Sequence, residues 1–140
     1  MSRSINLSLR GHERIFINGA VLRVDRKVTI ELLNDATFLL EAHVLQAEQA
    51  TTPIRQLYFI AQAMLIDPGS AGQVRVAYHE VDRAIVAQGA DQDVASALAT
   101  ARSFLDAGRP FEVLRILRSL FQSDDLRLGR SAGMLTHQVA

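Results

Sequence analysis

The chain reads Ala50-Thr51-Thr52-Pro53-Ile54-Arg55-Gln56-Leu57-Tyr58-Phe59, and then Met64-Leu65-Ile66-Asp67-Pro68, at the point where a strand-like sequence becomes helical. Thr52 suits an N-cap because its hydroxyl accepts a hydrogen bond from an otherwise unpaired N–H, and Pro53 has no N–H to lose. Apolar residues then recur at helical spacing, at Ile54, Leu57, Tyr58, Ala61 and Leu65. Because further apolar residues widen this face, we predict a helix over 53–66 that packs in a core or under a partner.

Upstream of this helix, apolar and polar residues alternate, which is typical of half-buried strands. One alternation spans 4–10 and another spans 27–32. Between them lies Asn18-Gly19, a strong hairpin signal because both residues tolerate a positive φ. A further strand begins at Thr37, and we extend it as far as Val44-Leu45. These patterns predict about five antiparallel strands, as one small sheet or partial barrel with helices over its apolar face.

Three more helices are expected downstream, over 71–88, 92–107 and 110–122. In the second helix the apolar stripe consists of Val74, Ala77, Tyr78, Val81 and Ile85, opposed by Arg75, His79, Asp82 and Arg83. Asp91 suits the N-cap of the third helix, and Gly89 and Gly108 suit the ends of the second and third. In the fourth helix, Val113 and Leu120 widen the apolar face, which indicates either deep burial or a partner.

The predicted fold class is therefore α+β, with a small N-terminal antiparallel sheet followed by a four-helix C-terminal part. We divide the chain into a β-rich part (1–50), a helical part (51–122) and a tail (123–140) that we expect to be mobile. The residues expected in the core are Ile5, Leu7, Ile17, Ile30, Leu57, Leu65, Tyr78, Leu98 and Leu117.

Composition argues against several classes of protein. The 140-residue chain has a formal net charge of zero and no cysteine, so it has neither a global field that attracts nucleic acid nor a thiol for catalysis or zinc. The four histidines lie far apart, and no glycine loop ends in Lys-Ser or Lys-Thr. We therefore expect neither an enzyme nor a cofactor or metal site. With no secretory signal and no long apolar run, we expect a cytoplasmic protein without a membrane partner.

The zero net charge hides an uneven distribution. Residues 1–30 carry six basic and two acidic side chains, a net of +4, whereas residues 31–50 carry four acidic side chains and no basic one. Arginine outnumbers lysine fourteen to one. The planar guanidinium of arginine can donate two parallel hydrogen bonds to a phosphate or a base. A GC-rich genome also explains that ratio, and a solvated face with scattered charges also explains the cluster. The candidate RNA-binding residues are Arg10, Arg14, Arg23 and Lys27, followed by Arg115 and Arg118 on the polar face of the last helix.

The block from Ala50 to Pro68 resembles the corresponding stretch of the FlbT family, the flagellin-synthesis regulators of flagellated alphaproteobacteria. The likeness continues upstream in Asn6-Leu7-Ser8-Leu9, Glu13, Phe16-Ile17-Asn18-Gly19-Ala20 and Ala36 through Leu40, and it extends to about residue 122. The resemblance implies a repressor in flagellum biogenesis that acts after transcription. Such a protein associates with the 5′ untranslated region of flagellin mRNA and promotes degradation of that mRNA. Some family members instead support flagellin synthesis.

A protein-interaction adaptor is the competing hypothesis. Its docking surface would lie around Tyr58 and Phe59 and on the fourth helix, and the family context suggests FlaF or a flagellin as the partner. Neutral overall charge favours the adaptor, whereas the basic first thirty residues favour RNA. An exposed strand edge and surplus apolar helix surface would also favour a homo-oligomer.

Overall fold

The computed structural model describes residues 4–34 and 36–122, and it has the predicted α+β architecture. The strands are β1 (Ile5–Leu9), β2 (Arg14–Ile17), β3 (Ala20–Arg23), β4 (Val28–Leu32) and β5 (Phe38–Leu40). The helices are α1 (Pro53–Ile66), α2 (Ala71–Ala87), α3 (Gln92–Asp106) and α4 (110–122), which reaches the last described residue. The tail expected over 123–140 lies outside the described residues.

The five strands are antiparallel, as predicted, and they are divided between a two-stranded and a three-stranded sheet. β1 pairs with β4, while β2 lies between β3 and β5. Between the sheets the ladder is irregular: His12 has a φ of 68° and donates its N–H to Val24, whose own N–H bonds to the carbonyl of Glu13. Val24 thus bonds to two successive residues of the facing segment, as in a β-bulge, and this bulge bends the ladder.

The hairpin at Asn18-Gly19 is confirmed. These residues have φ values of 49° and 85°, as a two-residue turn with both central residues left-handed requires. Asn18 also holds the tip against the start of β5, because its N–H donates to the Thr37 carbonyl at 2.9 Å and its Oδ1 accepts the Thr37 N–H at 3.2 Å. The hairpin therefore has a fixed position against the third strand of its sheet.

Helix α1 begins as predicted, with the Arg55 N–H donating to Thr52 Oγ1 at 3.1 Å. The predicted extension of β5 to Leu45 was wrong, since β5 ends at Leu40 and a 3₁₀ turn follows over Glu41–His43. Gln62 of α1 explains the change: its side chain bonds to both the N–H and the carbonyl of Leu45, at 2.8 and 2.6 Å. These bonds occupy the backbone groups that strand pairing would need.

Two apolar clusters join the sheets to the helices. Phe16 and Leu39 pack in one core with the buried faces of all four helices, while Phe111 of α4 packs against a second cluster under the strands. That second cluster consists of Leu7, Leu9, Ile15 and Phe38. Val113 and Leu120 are buried, so the broad apolar face of α4 is used inside the molecule.

Most of the expected core residues are buried, namely Leu7, Leu57, Leu65, Tyr78, Leu98 and Leu117. Ile17 and Ile30 are only half-buried. Ile5 is 40% exposed, so its predicted burial was wrong. Ile5 lies at the outer end of the two-stranded sheet, where its partner in the register is Leu32.

Candidate nucleic-acid interface

The four N-terminal candidate cations lie at one end of the strands. Arg14 and Arg23 are direct partners in the β2–β3 register. Arg10 follows β1 and Lys27 precedes β4, where Leu9 pairs with Val28. The connecting backbones are close as well, since a side-chain carbon at Gly11 would lie 3.5 Å from the Cα atom of Arg26. Strand pairing thus gathers charges that are up to seventeen positions apart in sequence.

Arg14 is paired rather than free. Its Nε donates to Glu41 Oε1 at 2.6 Å and its backbone N–H donates to Glu41 Oε2 at 3.2 Å. The side-chain hydrogen bond from Arg14 is the main reason that the pKa of the Glu41 carboxyl lies below its usual value. Because both side chains remain more than a third exposed, solvent screens the pair and it contributes little to stability. A phosphate would have to compete with this carboxylate for Arg14.

The other three cations are open to an external anion. Arg10, Arg23 and Lys27 are exposed, and their side chains make no hydrogen bond or ion pair with another described residue. Nearby Arg26, by contrast, contacts Asp25 at 3.0 Å. The candidate interface therefore consists of Arg10, Arg23 and Lys27. Arg14 lies beside them and is paired with the carboxylate of Glu41.

The two candidates on α4 have different surroundings. Arg115 is exposed and lies 3.8 Å from Glu112 in a loose ion pair. Arg118 donates from Nη1 to the Tyr58 hydroxyl at 3.0 Å, and its guanidinium lies 5.9 Å from the centre of the Tyr58 ring. Arg118 thus helps to fasten α4 to α1 and is not a freely available surface charge.

Tyr58 offers no surface to a partner, which corrects its nomination as a docking residue. Its side chain is 1% exposed, and its hydroxyl donates to the carbonyl of His43 at 2.5 Å. Phe59, the next residue, points the other way and is 38% exposed. Helical geometry allows this difference, since adjacent residues lie about 100° apart around the axis.

His43 lies in the 3₁₀ turn that connects β5 to the linker before α1. Burial lowers its pKa, the charge of Arg118 lowers it further, and Glu13 opposes the change. The turn therefore lies within electrostatic reach of both the β-bulge and the last helix. Two candidate cations contact this segment: Arg14 through Glu41, and Arg118 through the Tyr58 hydroxyl that bonds to His43.

A buried charge on α2 escaped the sequence analysis. Asp82 was expected on the polar face, but it is 1% exposed and accepts from Arg102 Nε of α3 at 2.6 Å. A signal for its burial was present, because Val74, Tyr78 and Asp82 follow one another at intervals of four. Because Asp82 is charged, we had predicted that it faces the solvent.

Two classes of site have no counterpart in the part of the chain that the structure describes. None of its helices combines the length and apolarity needed to cross a bilayer. Within the same residues, no three His, Asp or Glu side chains gather closely enough to hold a metal ion.

Comparison with known proteins gives a consistent result. A family model described as "Flagellar protein FlbT" matches residues 5–128. A Mesorhizobium japonicum protein named "Probable flagellum biosynthesis repressor protein FlbT" is 46% identical over 129 residues, which cover 92% of this chain and 88% of the relative. A Brucella abortus protein of the same name is 49% identical over 126 residues, covering 90% and 83%. No solved structure matches the chain.

Proposed function

The chain belongs to the FlbT family of flagellar proteins, and on that premise we propose that it regulates flagellin synthesis after transcription. Its relatives are named as probable repressors of flagellum biosynthesis, and a regulatory role in flagellum synthesis follows from that membership. In our proposal the chain is a non-enzymatic cytoplasmic protein that associates with the 5′ untranslated region of flagellin mRNA and promotes degradation of that mRNA.

The observation that supports RNA as the target is the group of unpaired cations at the strand ends. In a chain with no net charge, three exposed cations lie at neighbouring strand ends and make no hydrogen bond or ion pair with another described residue, although the charge of Arg23 acts on Glu41. Phosphate groups bind such a surface with release of counterions, independently of base sequence. Recognition of the leader would then require further contacts with bases or with RNA shape.

A mobility-shift titration of the full chain with the cognate flagellin leader, at several salt concentrations, tests this proposal. The double variant Arg10→Ala/Arg23→Ala should bind more weakly, and removing each arginine that binds a phosphate should reduce the log–log salt slope by roughly 0.7. Folding should hardly change, since exposed substitutions usually alter stability by about 0.5 kcal/mol or less. A variant that folds normally and binds with an unchanged slope would exclude this interface.

The control Arg83→Ala removes an exposed arginine of the helices that is not among the candidate RNA-binding residues. Wild-type binding by this control would assign the effect to the strand ends and not to the overall charge. If the control alone lost affinity, the RNA surface would lie on the helices. If neither variant differed from the wild type, the RNA contacts would lie elsewhere on the chain. Absence of leader binding by the wild type would rule out direct RNA binding.

The adaptor remains a second candidate function, supported by apolar side chains that the described fold leaves exposed. Phe59 is 38% exposed on α1, and Val21 and Leu22 on β3 are 57% and 45% exposed. A protein partner such as FlaF or a flagellin could cover either surface. Pull-down with purified partners, comparing Phe59→Ser with the wild type, separates this function from RNA binding.

A further inference from the structure

A groove lies where the sheets meet the helices, at the turn of the hairpin, whereas the strand-end cations lie at the other end of its ladder. Its inner arm has a volume of about 410 Å³ and its outer arm one of about 530 Å³. The two arms are adjacent, because both are lined by Asn18, Thr37, Gly108 and Pro110. Each arm has a size typical of small-ligand sites.

Arg75 of α2 forms part of the inner wall and, among the described residues, is the only charged side chain lining that arm. Its Nε atom is buried without an acceptor, and the side chain makes no ion pair or hydrogen bond with another described residue. Because the Nε atom is buried, a ligand in the groove would meet the rest of the Arg75 guanidinium. An anion bound there would neutralise a charge that has no ion-pair partner among the described residues.

The rest of the inner wall favours the same kind of ligand. Asn18 uses its side-chain oxygen to accept from the Thr37 N–H, which leaves its amide NH₂ as a donor. The Thr37 hydroxyl makes no hydrogen bond with a described residue. α2 begins in this wall at Ala71, with no acidic residue in its first turn. Donors and a single cation, with no carboxylate among these described residues, fit an anionic group rich in acceptor oxygens.

The outer arm has a different chemistry. Its wall includes Ile5, which is 40% exposed, and the rings of Phe38 and Phe111, whose centres lie 4.9 Å apart. The charged residues at its rim, Arg109 and Glu112, face each other at 3.4 Å. Aromatic and apolar walls of this kind suit a flat ring, which can stack on an aromatic side chain.

We propose that this groove binds a nucleotide, with its phosphate at Arg75 in the inner arm and its base against Phe111 in the outer arm. The nucleotide can be free or can belong to a single strand of RNA, and the site is separate from the cations Arg10 and Arg23. Its existence does not depend on leader binding by those cations. If the chain binds RNA, the groove holds one unstacked base of it.

Titration of the full ¹⁵N-labelled chain, followed by NMR, tests the groove directly. Adenosine monophosphate should shift the backbone amides of Asn18, Thr37 and Gly108. Adenosine and inorganic phosphate should each bind more weakly, since each fills only one arm. A short single-stranded oligonucleotide that shifts the same amides more tightly than the monophosphate would identify RNA as the source of the nucleotide. Tighter binding by the free monophosphate would identify a soluble nucleotide.

Arg75→Gln should reduce affinity for the monophosphate about tenfold or more, because it removes a charge-assisted hydrogen bond. Arg75→Lys should fall in between, since it retains the charge without the fork. The control Arg83→Gln changes the same helix outside the groove, where Arg83 Nε donates to the His79 carbonyl, and it should bind like the wild type. Phe111→Leu should weaken adenosine more than phosphate.

Unchanged monophosphate binding in Arg75→Gln, or shifts confined to other surfaces, would overturn the proposal. An acidic peptide that shifts these amides more strongly than any nucleotide would overturn it as well, and would make the groove a peptide site. The Arg10→Ala/Arg23→Ala variant should retain monophosphate binding. Loss of leader binding there with the groove intact would therefore separate the two proposals.

Discussion

Tyr58 and Tyr78 are the chain's two tyrosines, and both are buried in contact with the same core. Their hydroxyls differ in hydrogen bonding. Tyr58 donates to the His43 carbonyl and accepts from Arg118, whereas the hydroxyl of Tyr78 bonds to no described residue. Burial raises the pKa of both phenols, and the charge of Asp82 raises that of Tyr78 further.

We predict that neither tyrosine ionises while the chain is folded. An unfolded tyrosine titrates near pH 10, and both folded pKa values are higher. The neutral phenols therefore make their full contribution to the free energy of unfolding below about pH 10. That contribution is lost as the pH rises through the pKa values of the folded chain. The chain has no tryptophan to obscure tyrosinate absorbance. Alkaline titration should show that absorbance appearing together with loss of helical circular dichroism; ionisation near pH 10 with the helices intact would contradict the prediction.

Removing the two hydroxyls should have unequal effects. Tyr58→Phe leaves the His43 carbonyl without its donor and should lower the free energy of unfolding by roughly 1–3 kcal/mol. Tyr78→Phe removes a buried group with no partner among the described residues, so it should leave stability unchanged or increase it. Urea unfolding of the two variants measures the difference, and equal losses would indicate that a water or another group satisfies Tyr78.

Among the elements, α2 and α3 are joined by an ion pair with unequal burial. The side chain of Asp82 is 2% exposed and that of Arg102 is 36% exposed. A hydrogen bond from this arginine is the acid's only one among the described residues, because the second carboxylate oxygen is buried without a partner. Removing Arg102 should therefore lower the free energy of unfolding more than removing Asp82, because only Asp82 would be left as a buried charge.

Arg102→Ala should therefore destabilise the chain more than Asp82→Ala. The first change leaves a buried carboxylate without its cation, at a cost of roughly 3–5 kcal/mol. The second leaves an arginine that can turn to water, at a cost of about 1–3 kcal/mol. The double variant should be more stable than Arg102→Ala alone. Chemical denaturation of all three variants gives these values, and a reversed order would show that Arg102 does not compensate the buried charge.

At the scale of the molecule, the two small sheets leave strand edges uncovered. β3 pairs on one side with β2, and no strand in the described residues occupies its other side. All four of its residues are exposed, including Val21 and Leu22. An apolar edge with unpaired backbone groups readily adds another strand.

We predict that the chain self-associates through β3. Leu22→Lys should shift the population to monomer, because a charge at the edge opposes pairing. Leu33→Lys is the matched control: this leucine is 69% exposed but lies outside every strand of the described residues. Sedimentation velocity of the full chain over a range of concentrations measures the outcome. A wild-type chain that stays monomeric throughout, or a control that dissociates equally, would rule out pairing by this edge.

Short-range signals in the sequence sufficed for most elements of this fold. Thr52 and Pro53 specify where α1 begins, Asn18-Gly19 specifies the hairpin, and Gly89 and Gly108 adopt the left-handed φ that follows a helix. Each of these features depends on hydrogen bonds and backbone angles within a few residues. That is why the bounds deduced from the pattern for α1, α2 and α3, and the start of α4, agree with the structure to within one residue.

Long-range packing determined the surroundings of the candidate site. Arg14 meets Glu41 across 27 positions, Arg102 meets Asp82 across 20, and Arg118 meets Tyr58 across 60. Periodicity identifies which residues share a face of one element, but it does not identify the neighbouring element or the charge that it carries. The free cations at the strand ends, the buried Asp82 and the groove at Arg75 therefore emerge only when segments distant in sequence pack together.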